Sequence, residues 1–304
     1  MTSDEKLRQL SLRVAAAVGL AALLAVFANG ANAQEQVKVT EITPNVLVFA
    51  TSAGNVVASV GPDGALLVGT PSAASTEPIQ RILTQRTKNP KRYVVIFPES
   101  IAESQGDAGW GARGAFVVMQ EKALERLGGH NMGKPGPLPA RLAQLGVERP
   151  PVSFSEVISF DLNGEATHII HQGAGYSDAD AVTHFHVASV IYMGEAFPGD
   201  GYPRIDAAQD GTLKGLIDQL AWTDPHFHIV PAHGPVTNGE SVKAFADMIV
   251  AVRDRVKQMI SARRTEQEIL AARPTAEFDA QYGHGRVSAD EFVREIYDAV
   301  TEKK

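Results

Sequence analysis

The sequence contains no cysteine. Disulfides and thiolate metal ligands are therefore excluded, and any bound metal would have to rest on His, Asp and Glu. No cluster of Lys and Arg interleaved with aromatics occurs, and the net charge is −7, so the electrostatic footprint of a nucleic-acid binder is missing. There is no Gly-x-Ser-x-Gly nucleophile elbow and no glycine-rich phosphate loop. Internal repeats are absent too. Apolar runs are short, with one exception: Val14–Phe27, 14 residues long. Lys6, Arg8 and Arg13 precede it and Ala31-Asn32-Ala33 follows. The run is shorter than the ~20 residues a membrane span needs, so residues 1–33 read as a secretory signal peptide cleaved after Ala33. An uncleaved anchor is the alternative. The expectation is a periplasmic or secreted protein, with no membrane attachment after cleavage and no nucleic-acid partner.

The full chain has 44% hydrophobic and 21% charged residues, the composition of a globular protein. Short apolar runs at Val37–Thr40, Val46–Ala50, Val56–Val60 and Ala65–Val68 alternate with turn residues, as in an antiparallel meander. Thr76–Thr87 reads as a helix capped by Ser75 or Thr76. A strand over Arg92–Phe97, one over Gly114–Met119 and a helix over Glu121–Leu127 follow. Gly128–Pro151 is rich in Gly and Pro, which suggests a lid, a binding loop or a floppy insertion, with His130 solvated inside it. Beyond it, Asn163-Gly164 signals a hairpin between Val157–Asp161 and Ala166–His171. Val182–His186 and Val190–Met193 predict a second hairpin. Gly211–Trp222 predicts a helix, Phe227–Val230 a strand and Gly239–Arg263 a long amphipathic helix. Thr265–Ala272 and Ser288–Val300 predict helices that each open on a Ser or Thr with Glu three positions on.

The stretch with the most chemistry to explain is Arg92–Trp110, a buried strand ended by Pro98 and followed by a polar loop carrying Glu99, Glu103 and Asp107. Loops beyond the carboxyl ends of strands are where α/β proteins gather ligands. Four further segments complete a pattern: ITPNVLVFA with GNVVASVGPDGALLVG, then YMGEAFPGDGYPRID, IVPAHGP and PTAEFDAQYG. Together they resemble the metallo-β-lactamase-fold hydrolases over residues 37–304. The resemblance implies an αββα sandwich, two β-sheets packed face to face with helices outside. It also implies a rim site where His and Asp hold one or two metal ions that make hydroxide from water.

The family's His-x-His-x-Asp-His motif belongs in the loop after Phe97. Without a gap, its first two histidines fall on Pro98 and Ser100, its aspartate on Ala102 and its last histidine on Glu103. The later ligand histidine is Tyr176, in Gly173-Ala174-Gly175-Tyr176-Ser177. The bridging aspartate is Glu195, and the supporting aspartate of the Asp-Thr-Gly turn is Gly69. Only His233, in Pro231-Ala232-His233-Gly234-Pro235, keeps the family residue. The expected residual site is thus Glu103, Glu195, His233 and Tyr176, with no cofactor or at most one divalent ion on Glu103, Glu195 and His233. His233 also reads as a turn residue bonded to a carbonyl.

The other histidines have plainer readings. His184 and His186 share a strand face by the period of two. His226 and His228 flank Phe227 in the same way, His168 and His171 end a strand, and His284 sits exposed between glycines. For His171 two readings stand: support of the site loop and, more commonly, a satisfied strand histidine. A metal-free carboxylate pair, Glu103 with Glu195, is a further arrangement. The function expected is a non-catalytic binding protein for a small molecule or protein partner. The alternative is a hydrolase of an ester, lactam or phosphoester with a rebuilt mononuclear site.

Overall fold

The computed structural model describes residues 35–69, 73–97, 108–128, 140–144, 147 and 151–301, and Gln36–Lys304 forms one compact unit. Close-spaced turns at Pro44-Asn45 and Pro62-Asp63 fold the first four strands back on one another. These are β1 (Lys38–Thr43), β2 (Val46–Thr51), β3 (Gly54–Gly61) and β4 (Gly64–Val68), an antiparallel meander as the spacing predicts. Beyond β4, β5 (Arg92–Ile96), β6 (Phe116–Gln120) and β7 (Val152–Phe154) add in parallel, giving one sheet in sequential order. The second sheet holds β8 (Val157–Leu162), β9 (Glu165–Ile170), β10 (Val182–Phe185), β11 (Val190–Gly194) and β12 (His228–Pro231) in the order β12-β11-β10-β9-β8. Its strands are antiparallel except for the parallel pair β11 and β12.

The helices are α1 (Ala73–Arg86), α2 (Ala108–Gly111), α3 (Glu121–Arg126), α4 (Ala140–Gln144), α5 (Leu213–Gln219), α6 (Gly239–Ser261), α7 (Glu266–Ala271), α8 (Asp279–Tyr282) and α9 (Ala289–Thr301). Three apolar layers follow from the period-two alternation of the strands. Val48, Val57, Leu66, Phe185 and Val230 pack between the sheets. Leu47, Ala58, Leu67, Ile79 and Leu83 pack outside the first sheet, the last two from α1. Ile191 and Ile229 meet Phe245, Ile249 and Val252 of α6 and Phe292 of α9 outside the second. The result is two mixed sheets with helices on their outer faces.

Most expected elements stand where their patterns put them. The Asn163-Gly164 turn has φ of 59° and 75°, the left-handed pair a two-residue hairpin requires. Thr265 with Glu268 forms a reciprocal capping box, and Ser288 with Glu291 makes the same bonds. Two expectations change. Helix α1 begins at Ala73, so Ser75 and Thr76 lie within it, both buried, and do not cap it. Helix α5 starts at Leu213 because Gly211 is pressed against the Tyr176 backbone while Thr212 caps the helix through Gly215 N–H, and it ends at Gln219, where Leu220 N–H turns to the Ile217 carbonyl, short of Trp222. The strands resume at Val152 with β7, a separate parallel edge strand whose three residues follow a Pro-Pro pair and carry no periodicity that bounds them on their own.

Candidate functional site

Strands β11 and β12 run parallel, and their carboxyl ends place Glu195 and Ala232-His233 side by side. The His233 turn is gripped from three directions. Asn55, at the start of β3, gives its amide to the Pro231 and Gly234 carbonyls at 3.0 and 2.9 Å, and its N–H to Ala232 O at 2.7 Å. From the loop after β11, Phe197 and Pro198 carbonyls accept the N–H groups of Ala232 and His233. His233 Nε2 lies 3.4 Å from Glu195 Oε1. Both side chains are largely withdrawn from water, 19% and 14% exposed.

Arg286 completes the arrangement. Its Nη2 donates to both oxygens of Glu195, at 2.9 and 2.7 Å, and its Nε lies 3.7 Å from Asp200. Burial works to raise the Glu195 carboxyl, but the His233 hydrogen bond and the Arg286 charge outweigh it and hold the group below the usual range. Tyr176, Glu195, Asp200, Arg204 and Arg286 line one cavity of about 190 Å³. Tyr176 comes from the loop between β9 and β10. That loop is fixed by buried Asp180, which accepts from Ser177 N–H at 3.0 Å and Ser177 Oγ at 2.7 Å, while Gln219 reaches the Gly173 carbonyl. His171 Nδ1 lies 2.6 Å from the Asp180 carbonyl, so it supports this loop from the strand end.

The structure therefore brings Glu195, His233 and Tyr176 to one rim. Pro98, Ser100, Ala102 and Glu103 lie outside the described residues, as do residues 129–139 of the suggested lid. Gly69 has φ of +99°, and a Cβ there would stand 2.7 Å from the Asn55 carbonyl and 3.0 Å from the Tyr192 hydroxyl. The space for a supporting side chain at that turn is filled by the Tyr192 phenol. His184 and His186 are neighbours, ring centres 5.2 Å apart, but His184 packs on Trp222 and Phe227 with His168 as its cross-strand partner, away from the rim. His226 bonds Asp224 in solvent.

Arg286 was not singled out from the sequence, nor were Asp180 and Asp200. Arg286 lies 91 residues from Glu195, and no spacing rule joins them. Its one local signal is the glycine on each side of His284, which frees the chain just before it. Among the described residues, no group of three or more His, Asp or Glu is placed to hold a metal ion. The described part of the rim does not fit a family-type metal centre for a direct reason: both Glu195 oxygens face a guanidinium, and His233 Nε2 faces Glu195.

No protein-family model and no curated protein matches the sequence. Solved structures do. The sec-alkyl sulfatase PisA1 from Pseudomonas sp., as a double mutant, superposes with a TM-score of 0.60 at 16% identity over 87% of this chain. The chain spans half the length of that sulfatase. VMB-1 superposes at 0.53, with 13% identity over 72% of this chain and 98% of its own. A metallo-β-lactamase from Pontibacter korlensis, at 0.49 and 16% identity over 70% of this chain and 99% of its own, lies too low to weigh. At such identities the likeness is one of fold. The two mixed sheets and the outer helices agree with it: the chain has the metallo-β-lactamase fold.

Proposed function

We propose that this protein is an exported member of its fold that binds a small molecule or a protein partner and does not hydrolyse through a metal centre. One observation carries the reading: the Glu195 carboxylate, at the position of the family's bridging ligand, is neutralised by Arg286 on both oxygens. A carboxylate bridging two metal ions must present its lone pairs to them. Here those lone pairs accept from a guanidinium, and the imidazole of His233 is turned to the same carboxylate. The positions of Pro98 and Ala102, which offer no side-chain ligand, support the same conclusion from the sequence. The cavity beside Arg286, with Tyr176 and Arg204 on its walls, is the place for a ligand.

The test uses the mature chain purified from zinc-rich medium, with N-terminal sequencing to read the cleavage after Ala33. Elemental analysis is expected to find metal well below one equivalent. Ester, lactam, phosphoester and alkyl sulfate probes are expected to show no turnover with added zinc, manganese or iron. Stoichiometric metal whose removal abolishes hydrolysis would replace this reading with the mononuclear hydrolase on Glu103, Glu195 and His233.

A further inference from the structure

We infer that Arg286 is the resident cation of this rim: its guanidinium takes the electrostatic place of a metal ion on Glu195 and keeps divalent ions out. The inference rests on the non-catalytic reading above and names what enforces it. Three observations beyond the ion pair itself bear on it.

The first is how the arm carrying Arg286 is admitted. Gly285 and Gly201 meet backbone to backbone. A Cβ on Gly285 would lie 2.5 Å from Gly201 Cα, and one on Gly201 would lie 2.6 Å from Gly285 Cα. Neither position tolerates a side chain, so the approach that delivers Arg286 depends on both glycines. The second is that the segment before the arm is tied down. The Tyr202 hydroxyl donates to Asp279 at 2.9 Å, Arg273 pairs with the other oxygen of Asp279 at 2.8 Å, and Arg255 of α6 holds the Pro274 carbonyl at 2.7 Å. A chain tied down just before the arm has less backbone freedom left to lose on pairing than a loose loop.

The third is charge. Among the described residues Glu195 and Asp200 are the carboxylates lining this cavity, with Arg204 a further cation on its wall, and Arg286 contacts both carboxylates, at 2.7 and 3.7 Å. A divalent ion on Glu195 would sit within a few ångströms of a fixed positive charge. That repulsion is stronger in a half-buried site than it would be in water. It would also have to displace two charge-assisted hydrogen bonds. Removing the guanidinium removes both obstacles and leaves a carboxylate and an imidazole together, at 3.4 Å, in a cavity that Asp200 also lines.

The experiment is calorimetric titration of metal-stripped mature protein with manganese and with zinc. It compares wild type, R286M, R286K and the double variant R286M/E195Q, each confirmed folded by circular dichroism. Wild type and R286K are expected to give no saturable binding, whereas R286M gains one site at least about tenfold tighter than anything in wild type. R286M/E195Q should lose that site. If R286M does not fold, R286Q, which keeps a polar side chain, takes its place in the same comparison. A folded, metal-free wild type whose R286M and R286Q variants gain no site overturns the role given to Arg286 and leaves the non-catalytic reading standing. A gained site that survives E195Q overturns it as well, by locating the ion elsewhere. One equivalent of tightly bound metal in wild type, with Arg286 intact, overturns both.

Discussion

Asp180 shows how burial and bonding divide the control of a single carboxyl. Removal from water drives its pKa up, bonds from Ser177 and Gln219 pull it back, and burial prevails at about 6. A group raised in the folded state contributes stability that is complete below its unfolded pKa, near 3.8, and is lost as pH rises through about 6. Wild type is therefore expected to lose on the order of 2 kcal/mol between pH 4 and pH 8 at this residue. D180N keeps an acceptor for Ser177 and has no charge to desolvate, but its amide nitrogen replaces the oxygen that accepts from Gln219 Nε2 at 3.4 Å, a cost that is the same at both pH values. Urea unfolding at both pH values checks this: D180N should lack that part of the loss, and parallel pH profiles for the two proteins would refute it. At this scale the sequence was partly legible. Tyr176, Glu195 and His233 sit in turns whose Gly, Pro and strand neighbours locate them. Asp180 and Arg286 act through burial and a remote ion pair, which leave no periodic trace.

Turns and caps were the most readable elements, because their chemistry is local. Asn163 goes further than its Asn-Gly signal indicates. Its backbone N–H bonds Asp63, its side-chain oxygen accepts from Asp63 N–H at 2.9 Å, and its amide reaches Ser59 and the Gly64 carbonyl at 3.3 Å. Its carbonyl accepts from Asn45 at 2.9 Å. One buried side chain thus ties the β8–β9 hairpin to the β3–β4 turn, sheet to sheet. N163G preserves the left-handed backbone and removes only the side-chain bonds, so its cost reports the tie. The expected loss is about 1–3 kcal/mol, read by denaturant unfolding. A loss no greater than a few tenths would mean that the hairpin docks without it. The boundaries that escaped the sequence are those set by tertiary contact. Strand β7 stands apart because β6 offers an open parallel edge, and α5 starts at Leu213 because Gly211 packs on the Tyr176 loop. Neither cause is written within its own few residues.

The whole sandwich was legible chiefly because its halves repeat one logic, strands that alternate and helices that cover, and because the segment order resembled a known family. Its stability follows from that architecture. Three apolar layers, two outside the sheets and one between, hold Gln36–Lys304 together. At the rim, Arg286 supplies the charge that would otherwise come from an ion. A protein that bound a metal at a thousandfold excess over its dissociation constant would owe about 4 kcal/mol to it. For a domain of this size, stripping that metal would lower the melting temperature by roughly 8–16 °C, since each kcal/mol shifts it by about 2–4 °C. Here the expectation is different. Dialysis against EDTA should leave the calorimetric melting temperature within about 1 °C of its starting value. Restoring zinc or manganese should not raise it. A drop of several degrees, recovered on adding one ion, would show that the sandwich leans on a metal the rim geometry leaves no room for. The assignment of Arg286 as its cation would then fail with the fold-level argument that supports it.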